Sequence, residues 1–285
     1  MRGQSFMDAI LHGAAPNNEQ IATYLSAFHQ RMPGITSEIM LGLQTNEGRT
    51  SYEVVADCIA ASQPSNILDI GCGDGELLAA IHSRSPRTAL AGVDISAEEL
   101  ALAATRLEHR EADLRLASAV ELPFATGTFS AVAAHLVFML IPQVNAALSE
   151  VYRVLAASGT FAFLLPRPPR QATNLTVLLE KLTRKVAIRY PDFSPFSVGD
   201  RALFERFGIA DLLDRAGFTT LPTFEDFEVH AALDGESLWR AIAGRYVLGS
   251  LDEELTAELR AIVESAAAHG RFEYGESLRL ISIVR

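Results

Sequence analysis

The chain has 285 residues, 49% of them hydrophobic and 21% charged, which is enough apolar content for one large globular core. Its net charge of −11 argues against wrapping a polyphosphate backbone, because such binding rests on Lys and Arg neutralising phosphates. The two cysteines, Cys58 and Cys72, have no paired spacing, so neither a disulfide framework nor a metal site is expected.

Residues 1–18 read as a loose start. They lack the basic-then-apolar pattern of a leader, and no apolar run approaches the roughly twenty residues of a membrane span, so a cytoplasmic setting is expected. Ile21, Tyr24, Leu25 and Phe28 recur at helical spacing and predict a helix from Glu19 to Met32. Pro33-Gly34 interrupts it. Short helices follow at Thr36–Leu43 and Ser51–Ala61. Residues 1–62 therefore form a helical cap, free to lie over the mouth of a site.

From Asn66 onward, strand and helix alternate. Strands are predicted at Asn66–Ile70, Ala89–Val93, Asp113–Leu116, Ala131–Leu136 and Gly159–Leu165, with helices at Gly75–Ser83, Ala97–Glu108 and Gln143–Leu155. Such alternation with apolar strands means a parallel sheet covered on both faces. Ser96 is a good N-cap for the helix over 97–108, and Glu99 is placed to complete a capping box. Pro166-Arg167-Pro168-Pro169-Arg170 stops the fifth strand. Residues 171–207, a helix at Asn174–Ile188 with a loop over Tyr190–Gly199, read as a lid insertion. A helix at Ala202–Ala216, a strand at Phe218–Val229, helices at Gly235–Tyr246 and Leu251–His269, and a last strand at Leu278–Val284 complete the chain. The expected division is a cap at 1–62, a core at 63–170, the lid at 171–207 and the remainder of the core at 208–285.

The most informative stretch is Asn66-Ile67-Leu68-Asp69-Ile70-Gly71-Cys72-Gly73-Asp74-Gly75-Glu76-Leu77-Leu78. A strand running through a glycine turn into a helix lets a ligand approach backbone, and Asp94 at the end of the next strand can accept from both hydroxyls of a ribose. An adenosine-containing cofactor is expected across the carboxyl ends of the sheet. The dinucleotide fingerprint Gly-x-Gly-x-x-Gly is broken here, since Glu76 stands at the third glycine and Asp74 adds a second acid where a pyrophosphate needs amides. Asp69 can accept from an ammonium group instead. Asp74 and Glu76 otherwise suit the first turn of a helix.

Residues Ile67–Leu78 resemble motif I of the class I S-adenosylmethionine-dependent methyltransferases, and Gly92-Val93-Asp94-Ile95-Ser96 resembles their motif II. Leu116–Phe124 is similar to the loop after strand three, Phe129–His135 to strand four, and Leu148–Phe161 to the helix and strand that follow. The resemblance runs from about Asn66 to Pro166 and lies nearest the small-molecule, ubiquinone-type branch. It implies a doubly wound, Rossmann-like, seven-stranded and mostly parallel α/β sheet, with S-adenosylmethionine as cofactor and S-adenosylhomocysteine as product. Carried over by position, Asp69, Gly71, Gly73, Asp94, Ile95, Ser118, Ala119 and His135 bind the cofactor. Two departures stand out: Ser118 replaces a frequent acid beside the adenine, and Ser130 replaces an Asp after the phenylalanine of strand four.

His135, at the end of the fourth strand, is the candidate catalytic base, with a pocket-wall histidine as the alternative. His29 reads as a surface histidine and Trp239 as packing. Phe138, Met139, Met32 and Met40 can line a greasy substrate pocket or pack the core, and the turn Arg49-Thr50-Ser51-Tyr52 can reach the cofactor's carboxylate. The motif of base and glutamine N-methylation is missing, because Leu136-Val137-Phe138-Met139 stands there. The expected function is methylation of a small, largely apolar metabolite in secondary metabolism, on O, N or C. No nucleic acid and no membrane span are involved, and the protein is a monomer or homodimer. The alternatives are a cyclase that keeps the cofactor without transferring its methyl, and a non-catalytic scaffold subunit.

Overall fold

The computed structural model describes residues 5–193 and 200–285. The expected loop over 190–199 therefore lies largely outside the described residues. The N-terminal part holds helices α1 (Phe6–Leu11), α2 (Asn18–Arg31), α3 (Ile35–Leu41) and α4 (Ser51–Ala61). The expected loose start is corrected by α1, whose end is fixed by a capping box between Ser5 and Asp8 and whose Phe6 and Ile10 are buried. Boxes at Asn17/Gln20 and Thr50/Glu53 fix α2 and α4 in the same way.

Then follow β1 (Asn66–Ile70), α5 (Glu76–Arg84), β2 (Ala89–Asp94), α6 (Ala97–Arg106), β3 (Ala112–Leu116), β4 (Phe129–His135), α7 (Val144–Val154) and β5 (Leu155–Pro166). The rest is α8 (Asn174–Arg189), α9 (Arg206–Ala216), β6 (Thr223–Leu233), α10 (Gly235–Ala243), α11 (Glu253–Ala266) and β7 (Phe272–Val284). One seven-stranded sheet runs in the order β3-β2-β1-β4-β5-β7-β6. Its first five strands are parallel, and β7 is antiparallel to both β5 and β6. The sixth strand starts at Thr223 rather than Phe218; Phe218 is instead buried against the Tyr152 ring of α7.

Alternate residues of β1 serve the two faces, as the twofold period of a strand requires. Ile67 packs with Val55 and Ile59 of α4 and Leu77 and Leu78 of α5, while Leu68 and Ile70 pack with Val144 and Leu148 of α7 and Leu212 of α9. A third apolar cluster forms a roof: Phe6, Ile10, Ile21, Tyr24 and Leu25 of α1 and α2 close on Val247, which follows α10. The Tyr24 hydroxyl donates to the carbonyl of Tyr246 at 2.5 Å. Gln44 and His230 exchange backbone hydrogen bonds of 3.1 and 2.9 Å, which ties the cap to β6. Among the described residues, no helix is long and apolar enough to cross a membrane.

The order reverses at β1, with β2 on one side and β4 on the other. In an open parallel sheet that reversal leaves a crevice at the carboxyl ends of these strands. Beneath it lies the core around β5, where Phe161 is fully buried and stacks on Phe163 at 4.7 Å. Replacing Phe161 by Ala is expected to cost about 3–5 kcal/mol, read as a lower urea midpoint; an unchanged midpoint contradicts this placement of the core.

Candidate functional site

The glycine turn after β1 is an elbow with Gly71, Gly73 and Gly75 all at positive φ. At Gly71 space itself excludes a side chain, while at Gly73 only the positive φ disfavours one. A Cβ on Gly71 (φ +63°) would lie 2.4 Å from Val137 Cγ2, whereas one on Gly73 (φ +50°) would meet only Glu99 Oε2, at 3.8 Å, and project into open space. The elbow is pinned by the Cys72 N–H, which donates to the Val93 carbonyl at 3.0 Å. Asp94 binds it from the neighbouring strand: its Oδ2 accepts from Gly73 N–H and its Oδ1 from Ser96 N–H, both at 2.9 Å. Each carboxylate oxygen keeps a further lone pair for a ligand hydroxyl.

Asp69 is the least compensated group. It is 1% exposed, and its Oδ1 has no hydrogen-bond partner among the described residues. Burial pushes its carboxyl well above the usual carboxylate range, and the nearby Asp94 charge adds to the rise. Burial raises Asp94 as well, against the opposing pull of the Ser96 and Gly73 amides. A site holding two such carboxylates favours a ligand that brings positive charge and disfavours a pyrophosphate.

Asp69, Gly71, Gly73, Asp94, Ile95, Ser118, Ala119 and His135 all line one cavity, of about 220 Å³. His135 is buried there, stacked on the Tyr52 ring at 3.9 Å, with Ser51 Oγ 2.9 Å from its Nε2. Burial pulls its pKa down to about 3, so the ring is neutral at pH 7. The first turn of α4 thus contributes Tyr52 to the cavity wall, with Ser51 behind it on the His135 ring. Arg49 does not reach it, because its guanidinium pairs with Asp57 at 3.2 Å. Leu136, at the tip of β4, holds φ +57°, a conformation rare for a bulky side chain, and turns the chain into the cavity wall.

Several residues depart from the sequence expectations. Ser96 caps α6, but Glu99 does not close the box. Its carboxylate instead accepts the Gly34 N–H at 3.1 Å and the Nδ1–H of His29 at 2.8 Å. His29 is therefore no surface residue; it is 17% exposed, and its Nε2 lies 3.3 Å from the Tyr246 hydroxyl. Burial, together with the Asp94 and Glu99 charges, pushes the Tyr246 phenol up and keeps it protonated. Asp74 does more than favour a helix dipole, since it accepts from Ser37 Oγ of α3 and from Arg106 of α6, both at 2.5 Å. Arg106 also pairs with Glu76. His29, Ser37, Glu99 and Tyr246 all line the cavity. No local pattern marks them, because each gains its role from a partner at least 37 residues away.

A second cavity of about 540 Å³ adjoins the first and shares Thr36, Leu136, Leu140 and Tyr246 with it. Met40 and Met139 line it, along with Leu179 and Thr183 of α8. Phe138 does not; it is fully buried against Phe161 and Phe163. Met32 lines neither cavity. Among the described residues, no group of three or more His, Cys, Asp or Glu could hold a metal ion.

Comparison with known proteins gives the same outline. Residues 68–163 match the family model described as a methyltransferase domain. A demethylmenaquinone methyltransferase of Thermus thermophilus is 35% identical over 122 residues, which cover 42% of this chain and 56% of that protein. The chain spans about half the length of the curated relatives it matches. Among solved structures, the 4+2 cyclase SpnF aligns with a TM-score of 0.58 at 16% identity, over 95% of this chain and 97% of that one. A protein of Bacillus halodurans, provisionally assigned as a methyltransferase, aligns with a TM-score of 0.56 at 15% identity, over 82% of this chain and 98% of that one. Both likenesses are of fold.

The strained charge at Asp69 predicts a pH-dependent stability. Because its folded pKa is raised, folding favours the protonated form, and that stability is lost as pH rises through the folded value. Asp69→Asn is therefore expected to be more stable than the wild type at pH 8, with the gap closing toward the ordinary carboxylate pKa of about 3.9. Urea midpoints measured from pH 5 to pH 8 check this, and no advantage of the variant at pH 8 contradicts it.

Proposed function

We propose that this chain is a class I S-adenosylmethionine-dependent methyltransferase, whose cofactor is S-adenosylmethionine, and that it methylates a small, largely apolar acceptor held in the second cavity. The single observation that carries the reading is Asp69: a buried carboxylate oxygen without a partner, lining the same cavity as the glycine elbow and Asp94. That unpaired acceptor suits the ammonium group of a zwitterionic nucleoside. When bound, the cofactor supplies a methyl made electrophilic by its sulfonium.

The residues of this chain have distinct tasks in the proposal. Asp94 accepts from the ribose hydroxyls with the lone pairs its two amide bonds leave free. Gly71 and Gly73 let the ligand approach backbone. Ile95, Ser118 and Ala119 flank the adenine. Asp69 holds the amino group. His135 forms part of the wall at the methionine end; it is neutral and too weak a base at a pKa of about 3 to take a proton efficiently near pH 7. Catalysis then rests mainly on alignment of the acceptor, which can supply a large share of the barrier reduction. Leu136, Leu140 and Tyr246, shared by both cavities, exclude water where acceptor and methyl meet. The Thermus thermophilus relative, named for demethylmenaquinone, supports a small-molecule acceptor.

Calorimetric titration with S-adenosylhomocysteine tests the reading. The wild type is expected to bind, and Asp94→Ala is expected to lose at least about tenfold in affinity, since charge-assisted hydrogen bonds contribute roughly 1.5–3 kcal/mol each. Absence of binding by the wild type, or equal affinity in the variant, contradicts it. With an acceptor in hand, the product mass separates methyl transfer, which adds a CH₂ unit, from cyclisation, which adds nothing.

A further inference from the structure

Two histidines line the first cavity, and their electrostatic surroundings are opposite. His135 is buried away from any charged partner, and burial pulls its pKa down to about 3. His29 sits between two carboxylates: its Nδ1–H donates to Glu99 Oε1 at 2.8 Å, and it attracts the Asp94 charge as well. The bond to Glu99 fixes the tautomer, so Nε2 keeps its lone pair. The Tyr246 hydroxyl lies 3.3 Å from that Nε2, its only acceptor among the described residues. Tyr246 is half-buried and lines both cavities. Burial and the Asp94 and Glu99 charges keep its phenol protonated. Its proton therefore points to His29, and its oxygen keeps lone pairs for a ligand. The other ionisable groups of this cavity are committed elsewhere. Asp74 is held by Ser37 and Arg106, while Asp69 and Asp94 serve the cofactor in the proposed function. Burial pushes Cys72 and Tyr52 up and keeps both protonated.

Methyl transfer to a neutral O–H or N–H group, or to an enol, leaves a proton to be removed. We infer that Tyr246 and His29 remove it as a relay, with Glu99 holding the charge that results. The acceptor's proton passes to Tyr246 Oη while the phenol's own proton passes to His29 Nε2. In the same step the bond from acceptor to methyl forms and the methyl–sulfur bond breaks, its electron pair staying on sulfur. His29 becomes an imidazolium, which the adjoining Glu99 and Asp94 carboxylates stabilise. Proton removal by a positioned base contributes about 10²–10⁴-fold to a rate. The inference rests on the methyl-transfer reading, which supplies the methyl donor.

The test uses the full chain saturated with S-adenosylhomocysteine and 4-nitrophenol as the probe, whose phenolate is coloured and whose phenol is not. At pH 6 the ratio of phenolate to phenol is read for the bound probe and for the probe in buffer. In the wild type the bound ratio is expected to exceed the free one by about tenfold, equivalent to one pKa unit. Tyr246→Phe removes only the hydroxyl and is expected to abolish that excess, and His29→Gln to do the same. A purely structural His29 would leave the probe's colour unchanged. Should H29Q disturb the cap, Y246F alone carries the comparison, because the Tyr246 carbonyl that Tyr24 binds is retained. A wild-type ratio equal to that in buffer, no binding of the probe, or an excess that survives Y246F overturns the inference. Failure of the wild type to bind S-adenosylhomocysteine at all overturns the methyl-transfer reading instead, so the two failures are distinct.

Discussion

A carboxylate with nothing to neutralise it is the constraint around which the site is built. Asp69 stands one residue from the end of β1, at the point where the strand order reverses, and is 1% exposed. A core position occupied this way weakens the free protein, and such a cost persists in a fold when the group serves a ligand. Asp94, on the adjacent strand, shares the cavity and raises the cost further. The two acids give the elbow its selectivity. A glycine turn at a helix start would otherwise suit a phosphate; this one is set against negative charge.

The roof completes what the sheet begins. Glu99 belongs to α6 of the core, yet its carboxylate holds the Gly34 amide of the cap and the His29 ring, which in turn reaches Tyr246 after α10. Asp74 and Arg106 bind the other side of the same cap through Ser37. The N-terminal helices and the segment after α10 are far apart in the chain, but they meet over both cavities, and the apolar cluster around Tyr24 and Val247 holds them together. One wall of Leu136, Leu140 and Tyr246 separates a cation-seeking cavity from an apolar one. That division suits the methyl transfer proposed above, between a charged donor and an apolar acceptor.

Much of this was legible in the residues. The alternation from Asn66 to Leu165 gave the parallel strands, because two-sided burial leaves continuous apolar runs, and the elbow with Asp94 located the cavity. The eight residues singled out from the two motifs, the loop after strand three and the end of strand four line it together. What the sequence left dark is non-local. Glu99 at the third position of α6 looks like half of a capping box, and only the fold shows its carboxylate turned toward Gly34. His29 has the pattern of an exposed position on α2, since nothing nearby announces an acid 70 residues on. Phe138 follows His135 closely enough to suggest the pocket, but the short turn after β4 points it into the core. Tyr246 lies in a segment far from His29, and neither carries a motif. The helix at Phe6 was hidden because six residues are too few for a periodic signal.

The central claim is that burial makes the charged form of Asp69 costly in the free protein and that a cationic ligand offsets that cost. The most direct measurement is the affinity for S-adenosylhomocysteine as a function of pH from 5 to 8, in the wild type and in D69N. If the claim holds, wild-type affinity falls as pH drops, beginning above the ordinary carboxylate range of about 3.9, because the ligand's ammonium must displace a proton. D69N should bind more weakly and with little dependence on pH. A wild-type affinity that stays flat across this range, or a D69N affinity equal to it at pH 8, contradicts the account.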